Sequence, residues 1–320
     1  KNSKRNKMNK LNKLIKLNIF ISICIFNLIF SLNLFAAEPL VSSEWLNDNL
    51  TNNKIVILDI RNKIDGGSKE SFEQGHIPNS VYSNYLEDGW RTTVDGIVGK
   101  IPALTDLEIL IGSLGIDNNS HVIIVPGGVS SSDFGSAARV YWTFKVLGHE
   151  EISILDGGYK DWDKKFPGIK NLGFKMPKKK IFKANFQSQF LATTDEVLEK
   201  LNDSSVSFID ARSEEQYLGE KKHGKALSAG TIPGAINFKQ FDMITENTTF
   251  VKDLNNLEEL AFNSGVDPNN TNIAFCNTGH WAATAWFTLS EVLKLPNTKM
   301  YDGSMVEWTA DTSRPLNNKL

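Results

Sequence analysis

Cys276 is the residue of this sequence best suited to nucleophilic chemistry. It follows the short apolar run 273–275 and precedes a polar loop, residues 277–279, before an Ala-rich stretch that is predicted to be helical from about His280. A thiol between a strand and a helix meets free backbone N–H groups and the positive end of the helix dipole, and both favour the thiolate. The alternative, a buried structural cysteine, is typical of strand interiors and helix faces. The pattern therefore predicts a reactive cysteine.

The segments around Cys276 have counterparts about 150 residues earlier in the chain. VILDIR (56–61) returns as SFIDAR (207–212), and ILDGGYKDW (154–162) returns as MYDGSMVEW (300–308). The run HVIIV followed by SAARVYWTFKVLGH matches NIAF followed by WAATAWFTLSEVLKL. Because these pairs keep their order, the sequence indicates a tandem duplication.

Each repeat alternates short β-branched runs with amphipathic stretches such as 106–114 and 254–264. This alternation predicts an α/β fold of two tandem domains, each a parallel sheet with helices on both faces. We expect a first domain at 38–169, a linker at 170–192 that contains a run of lysines, and a second domain at 193–316. Reactive groups in such sheets gather at the C-terminal ends of the strands, where Cys276 lies.

The first repeat lacks this chemistry. The loop after its matching strand reads PGGVSSSDFGS and contains no thiol, and no base stands near its serines 130–132 in the sequence. This loop therefore has no counterpart of Cys276.

Residues 1–37 have a different composition from the rest of the chain. Seven basic residues and no acidic ones precede the apolar run 17–35, and Ala36-Ala37 follows it. This order predicts a secretory signal peptide, with an uncleaved N-terminal anchor as the alternative. Either interpretation predicts a protein that is periplasmic or otherwise exported, and cleavage would leave no stable membrane association.

The remainder of the chain is acidic and has one cysteine. Its 28 basic and 37 acidic residues give a formal charge of −9, which excludes nucleic acid as an expected partner. Cys276 has no partner for a disulfide. His76, His121 and His149 lack the spacing of metal ligands, so we expect neither a metal nor a cofactor.

Taken together and in order, four segments carry a family resemblance. FCNTGHWA, IDARSEEQYLG, YDGSMVEW and ARVYWTFKVLGHEEISILDGGYKDW resemble the tandem-domain rhodanese sulfurtransferases of the thiosulfate and 3-mercaptopyruvate type, across residues 40–315. The resemblance implies that the first domain, whose matching loop has no thiol, is non-catalytic and that only the second is catalytic. It also implies that Cys276 takes a sulfane sulfur as a persulfide. It further implies a small sulfur-containing anion as donor, thiosulfate foremost, and cyanide, a thiol or a protein thiol as acceptor.

The sequence departs from this family beside the cysteine. Members that use thiosulfate typically carry basic side chains directly after the cysteine, where this chain has Asn277 and Thr278, and an Arg where it has Gln216. Members that use mercaptopyruvate typically show Cys-Gly-Ser/Thr-Gly, from which Asn277 also departs. Cations that bind an anionic donor must therefore come from elsewhere in the chain.

We expect the substrate site to combine the cysteine loop with cations from both halves. The loop candidates are Asn277, Thr278, Gly279, His280 and Trp281. The cationic candidates are Arg212, Lys221, Lys222 and His223 in the second half, with Arg91 and Lys100 in the first. The last two lie in the Gly-rich segment DGWRTTVDGIVGKIP, which can reach across the cleft between domains.

Three of these candidates have structural alternatives. Arg212 can form an ion pair with Asp210, and His280 can be a solvent-facing loop residue. Trp281 can either wall the pocket or pack against the other domain.

Three alternative functions follow from the same residues. A 3-mercaptopyruvate sulfurtransferase and a persulfide carrier that does not turn over would both use Cys276. A cysteine phosphatase is disfavoured, because its Cys-x5-Arg loop needs an arginine where this chain has Ala282.

Overall fold

A computed structural model describes residues 37–319 of the chain, so residues 1–36 of the predicted export segment lie outside the described part. The fold class is confirmed: the described residues form two domains, each built on a parallel sheet with helices packed against it. None of the helices in this part of the chain is long and apolar enough to span a membrane.

The first half contains seven strands and five helices in the order that the sequence pattern indicates. The strands are β1 (Leu40–Val41), β2 (Ile55–Asp59), β3 (Val81–Tyr82), β4 (Thr92–Val94), β5 (Ile97–Lys100), β6 (His121–Val125) and β7 (Ile152–Leu155). The helices are α1 (Ser43–Asp48), α2 (Lys69–Gln74), α3 (Leu104–Ser113), α4 (Ser131–Val146) and α5 (Gly158–Lys165). Five strands make a parallel sheet in the order β1-β7-β6-β2-β3, and β4 and β5 form a separate antiparallel hairpin.

The second half repeats this plan with a smaller sheet. Its strands are β8 (Val206–Asp210), β9 (Ile236–Asn237), β10 (Thr271–Phe275) and β11 (Thr298–Met300), in the parallel order β11-β10-β8-β9. Its helices are α6 (Thr194–Glu199), α7 (Glu214–Leu218), α8 (Leu254–Ser264), α9 (His280–Phe287) and α10 (Ser304–Ala310). Two 3₁₀ turns (Ser188–Phe190 and Gln240–Met243) and a π-helical turn (Thr288–Val292) complete it.

The registers of the two sheets show which loops correspond. Asp59 on β2 pairs with Val125 on β6, and Asp210 on β8 pairs with Phe275 on β10. The residues that follow, Pro126 and Cys276, therefore occupy equivalent places at the carboxyl ends of central strands. A proline stands in the first half where the thiol stands in the second.

Each half donates a backbone hydrogen bond to an aspartate of the other half, and the two aspartates are equivalent in the repeat. The backbone N–H of Ile101, just after the β4–β5 hairpin, donates to Asp302 Oδ2 at 2.7 Å. In return, the N–H of Val251 donates to Asp156 Oδ1 at 3.0 Å. Asp156 and Asp302 are equivalent residues of the repeated motif, so the two halves exchange contacts reciprocally.

The halves also share a hydrophobic core. Helix α4 of the first half packs along α9 of the second. The Phe287 ring lies 5.5 Å from Phe134 and 5.0 Å from Tyr141, both in edge-to-face geometry. Buried residues from both sheets, such as Leu58 and Ile209, belong to one continuous apolar cluster. This packing places the start of α9, and with it the cysteine loop, against the first domain.

Candidate active site

The cysteine loop is a short strand-to-helix turn that leaves several donors free. Cys276 follows β10, Gly279 has a φ of 73°, and α9 begins at His280. Across residues 37–319, no protein acceptor takes the backbone N–H groups of residues 277–280. Unpaired N–H groups at a helix N-terminus stabilise anions, and a thiolate or persulfide is such an anion. The cysteine residue is 2% exposed, so water has little access to the sulfur.

Helix α10 holds the other side of Cys276. The N–H of Met305 donates to Cys276 O at 3.1 Å, and the N–H of Val306 donates to Asn277 O at 3.0 Å. The N–H of Cys276 itself donates to Ser304 Oγ at 3.0 Å. These bonds fix both backbone groups of Cys276 to the start of α10.

Arg91 brings a cation from the first domain to this loop, as expected from the Gly-rich segment. Its Nη2 donates to Thr278 O at 2.6 Å, and its Nε donates to Gly99 O at 3.4 Å. Both partners are neutral carbonyls. The positive charge of Arg91 therefore has no carboxylate partner among the described residues and remains available to an anion.

Arg139, on α4 of the first domain, is a second contact to the loop that sequence reasoning missed. Its side chain is fully buried, Nη1 donates to Gly279 O at 3.1 Å, and Nη2 donates to Gly99 O at 3.1 Å. Asp302 compensates the charge at 3.4 Å. The available signal was an arginine inside the apolar helix sequence SAARVYWTFKV, because a buried guanidinium needs several fixed acceptors.

Lys100 lies at the domain boundary, but its charge is already neutralised. Its Nζ is 2.6 Å from Glu307 Oε2 and 3.1 Å from Asp302 Oδ1. Burial alone would lower the pKa of Lys100, but the two carboxylates outweigh it and raise this pKa. The expectation that Lys100 contributes a free cation therefore needs correction: it ties the hairpin to α10.

Arg212 also differs from its assignment as a substrate-binding residue. It is 2% exposed, its Nε donates to Asp210 Oδ1 at 2.8 Å, and its Nη2 donates to Gly230 O at 2.8 Å. Arg61 and Asp59 form the same pair in the first half. Since the half without a thiol keeps this pair, Arg212 has the structural role that the sequence offered as its alternative: it ties the end of β8 to the loop before β9.

His280 is neither a cationic ligand nor a solvent-facing residue. Its Nε2 lies 2.9 Å from Ser132 O, and its Nδ1 lies 2.8 Å from the Tyr85 hydroxyl. Because a carbonyl can only accept, Nε2 carries the hydrogen and Nδ1 accepts from Tyr85. Burial and the charge of Arg91 lower the pKa of His280 to about 3, so the ring is neutral at physiological pH.

Tyr85 is a second site residue that the sequence did not reveal. Burial raises the pKa of its hydroxyl, Arg91 and Arg139 oppose that rise, and Cys276 adds to it. The Arg91 guanidinium carbon lies 5.9 Å from the centroid of the Tyr85 ring. Tyr85 therefore stays protonated and donates to His280, completing the first-domain wall of the site.

The neutral residues beside the cysteine bind each other. Asn277 Nδ2 donates to Gln216 Oε1 at 3.0 Å, while Asn277 Oδ1 is buried without a protein partner in the described part of the chain. Trp281 Nε1 donates to Ser132 Oγ at 2.9 Å, so this ring contacts the first domain.

A basic loop lies near Arg91. Burial lowers the pKa of His223, and the charges of Arg91, Lys225 and Lys222 lower it further. Lys222 also donates to Ala226 O, and Lys221 lies 3.6 Å from Glu215 in an exposed pair. Lys221 and Lys222 therefore already have partners within the second half.

Comparisons with known proteins agree with this geometry. The family model described as "Rhodanese-like domain" matches residues 42–165 and 193–311. Thiosulfate sulfurtransferase of Rattus norvegicus is 29% identical over 285 residues, covering 85% of this chain and 92% of the relative. The same enzyme of Bos taurus is also 29% identical over 285 residues, with the same coverage.

Among solved structures, SseA from Escherichia coli, described as a 3-mercaptopyruvate sulfotransferase with the rhodanese fold, superposes with a TM-score of 0.74. It is 25% identical in sequence, and the match covers 84% of this chain and 99% of SseA. The repeated fold, the single thiol at the end of β10 and these relatives lead to one assignment: the chain belongs to the rhodanese family and is a tandem-domain sulfurtransferase.

Proposed function

We propose that this enzyme moves a sulfane sulfur from thiosulfate to a thiophilic acceptor through a persulfide on Cys276. The observation that carries the proposal is the position of the thiol. Cys276 is the one cysteine of residues 37–319, and it stands where four successive N–H groups have no protein acceptor. Such a position favours the thiolate and then the persulfide anion that replaces it.

The reaction balances with groups that the site supplies. The Cys276 thiolate attacks the sulfane sulfur of thiosulfate, a new S–S bond forms, and the bond to the sulfonate sulfur breaks. Sulfite leaves with the electron pair. Cyanide or a thiolate then attacks the outer sulfur of the persulfide, and the cysteine thiolate is the leaving group.

The structure favours Arg91 over Lys100 as the cation that meets the donor. Arg91 is bound by carbonyl oxygens, whereas Lys100 is bound by two carboxylates. The sulfonate oxygens of thiosulfate need a charge that is not already paired. Arg91 supplies one at the cysteine loop, and this explains how an active site with neutral Asn277 and Thr278 can take a dianion.

Steady-state kinetics with thiosulfate and cyanide test the proposal. Cys276→Ser should abolish turnover, and intact mass after thiosulfate should show one added sulfur in the wild type alone. Arg91→Ala should lower kcat/KM by roughly 10- to 100-fold, as expected for the loss of a charge-assisted contact. Lys100→Ala is the matched control from the same hairpin and should lower it less. Equal loss in both variants would assign the anion contact elsewhere, and an active Cys276→Ser would overturn the mechanism.

3-Mercaptopyruvate is the second candidate donor, and the neutral pair Asn277–Gln216 favours it. This donor carries one carboxylate, so it places less charge in the site than thiosulfate does. The likeness to SseA supports the same choice. Measuring kcat/KM for both donors under one set of conditions decides between them, and persulfide formation without turnover with either would indicate a carrier.

We also propose that the enzyme works outside the cytoplasm. The basic and apolar composition of residues 1–35, followed by Ala36-Ala37, supports cleavage near Glu38. N-terminal sequencing of the native protein tests this. A mature chain that begins near Glu38 agrees with export by a cleaved signal, and retention of Leu17 would indicate an anchor.

A further inference from the structure

Ser304 has a backbone conformation that serine rarely adopts. Its φ is +51°, in the left-handed region where a side chain crowds the backbone and glycine is favoured. The residue is fully buried at the start of α10. A strained residue of this kind persists where its side chain serves a purpose that glycine cannot serve.

The side chain of Ser304 is bonded to the reactive cysteine. Its Oγ accepts the N–H of Cys276 at 3.0 Å and donates to Tyr301 O at 2.9 Å. With the bonds from Met305 and Val306, it gives α10 a third contact to residues 276–277. Of these three contacts, only the one from Ser304 involves a side chain.

The non-catalytic half lacks this third contact. There the N–H of Tyr159 donates to Pro126 O at 2.8 Å and that of Lys160 donates to Gly127 O at 3.0 Å, which reproduces the two backbone bonds. The equivalent of Ser304 is Gly158, with a φ of +63°. The equivalent of Cys276 is Pro126, which has no N–H to donate. In the second half, the cysteine is thus accompanied by a serine in a strained conformation. In the first half, the proline is accompanied by a glycine, which adopts a positive φ without strain.

We propose that Ser304 is a positioning residue for the sulfur transfer, and this rests on the proposed role of Cys276. By binding the N–H of Cys276, its hydroxyl fixes the peptide plane before the cysteine. That plane sets the direction of the Cα–Cβ bond and therefore aims the sulfur at the free N–H groups of residues 277–280. The fold accepts an unfavourable backbone conformation at Ser304 to obtain this orientation.

Replacement of Ser304 should separate stability from reactivity. Ser304→Gly relieves the left-handed strain but leaves the N–H of Cys276 unpaired, so we expect a melting temperature within about 3 °C of wild type. The rate of persulfide formation should fall roughly tenfold while KM for thiosulfate stays within about twofold. Ser304→Thr restores the hydroxyl and adds a β-branch, so it should recover most of the rate at a lower melting temperature.

Alkylation of Cys276 by iodoacetamide across pH measures orientation and charge at the sulfur without any sulfur transfer. In Ser304→Gly we expect the midpoint of the alkylation profile to move to higher pH, because fewer N–H groups face the thiolate. Asn79→Gly is the control: Asn79 has a φ of +67° in an exposed turn, and its N–H donates to Asn171 Oδ1 in the linker. It should gain stability and leave the alkylation profile and the kinetics unchanged.

The possible outcomes separate the two proposals. A wild-type alkylation profile and persulfide rate in Ser304→Gly would overturn the role of Ser304, which would then only satisfy a buried peptide. If Ser304→Gly does not fold, Ser304→Ala and Ser304→Thr replace it in the test. Equal rates of persulfide formation in these two variants would also overturn the role of Ser304. An active Cys276→Ser would instead remove the proposed function, while the alkylation profile would still report on Ser304.

Discussion

Gly279 is the residue of the cysteine loop with the least freedom to change. Its φ of 73° favours glycine, and a Cβ atom there would lie 2.6 Å from Asp302 O and still closer to a guanidinium nitrogen of Arg139. Both neighbours are fixed, since Arg139 is buried and bonded to the loop. A side chain at Gly279 would push the loop off the first domain.

We therefore expect Gly279→Ala to cost about 2 kcal/mol or more in unfolding free energy and to lower kcat at least roughly tenfold. Gly224→Ala is the control, because a Cβ at Gly224 meets no atom within 4 Å. Chemical denaturation and steady-state kinetics measure both effects. A glycine-to-alanine change that is equally mild at the two positions would contradict this account of the loop.

The neutral state of His280 gives a pH prediction. With a folded pKa of about 3, this ring binds no proton in the native protein as pH falls through 6.5, whereas the unfolded chain does. Its contribution to stability is therefore present above about pH 6.5 and is lost as pH falls toward 3. The buried carboxyl of Asp65, whose pKa rises to about 7, has the opposite trend, favouring the fold at lower pH.

Because the two trends oppose each other, the difference between wild type and His280→Gln isolates the histidine. The wild type should lose stability relative to the variant as pH falls from 6.5 to 4. Urea unfolding at several pH values measures this difference. A difference that does not change with pH would show that His280 takes up its proton equally in the folded and unfolded chains.

At the scale of elements, α4 connects the first domain to the cysteine loop. Its first turn carries Ser132, which accepts from His280 and Trp281, and its middle carries Arg139, which binds Gly279 O. Arg91, the residue before β4, adds a hydrogen bond to Thr278 O. The loop is thus held by elements of both domains, although all its residues belong to one.

Removal of the Arg139 guanidinium on α4 should strongly lower the free energy of unfolding. Arg139→Met leaves Asp302 and two buried carbonyls without this donor, and we expect a loss of about 3–5 kcal/mol. The exposed pair of Lys183 and Glu108 is the control, and Lys183→Met should cost less than about 1 kcal/mol. Denaturant midpoints compare the two. A small effect at Arg139 would mean that the loop keeps its shape without the first domain.

At the scale of the whole molecule, the two halves share one hydrophobic core. The core cluster contains Trp142 of the first half and Trp286 of the second, and both are fully buried. Separation of the halves would expose this shared apolar surface to water.

We therefore expect a single thermal transition in which tryptophan fluorescence, far-UV circular dichroism and loss of activity coincide. A differential scanning calorimetry trace with one peak and equal calorimetric and van't Hoff enthalpies would confirm it. Two resolved peaks would show that the domains unfold independently and that the shared core contributes little.

The sequence predicted the features that depend on local pattern. Strand runs, the amphipathic periods and the repeated motifs located the two sheets, and the position of Cys276 between β10 and α9 followed from the same pattern. The reach of the segment with Arg91 was also predictable, because its length and glycines require an excursion. The positive φ at Gly279 is also consistent with its residue type, since glycine adopts this conformation readily.

What the sequence could not show is which charges are already paired. Lys100 and Arg91 lie in the same Gly-rich segment, but Lys100 has carboxylate partners and Arg91 has carbonyls. Those partners lie far along the chain or depend on side-chain direction. Ser304 was hidden for a related reason, since a positive φ at serine is a property of packing and not of local preference.

The hydrogen bond from Arg91 to Thr278 O has a thermodynamic consequence. A ligand that binds the loop more tightly when Arg91 holds it must, by linkage, strengthen that hold by the same factor. Under the proposed function, formation of the Cys276 persulfide and the Arg91–Thr278 contact would therefore strengthen each other. A persulfide-loaded enzyme would exchange the amide hydrogens of the β4–β5 hairpin more slowly than the sulfur-free enzyme, and each transfer to an acceptor would loosen the boundary again.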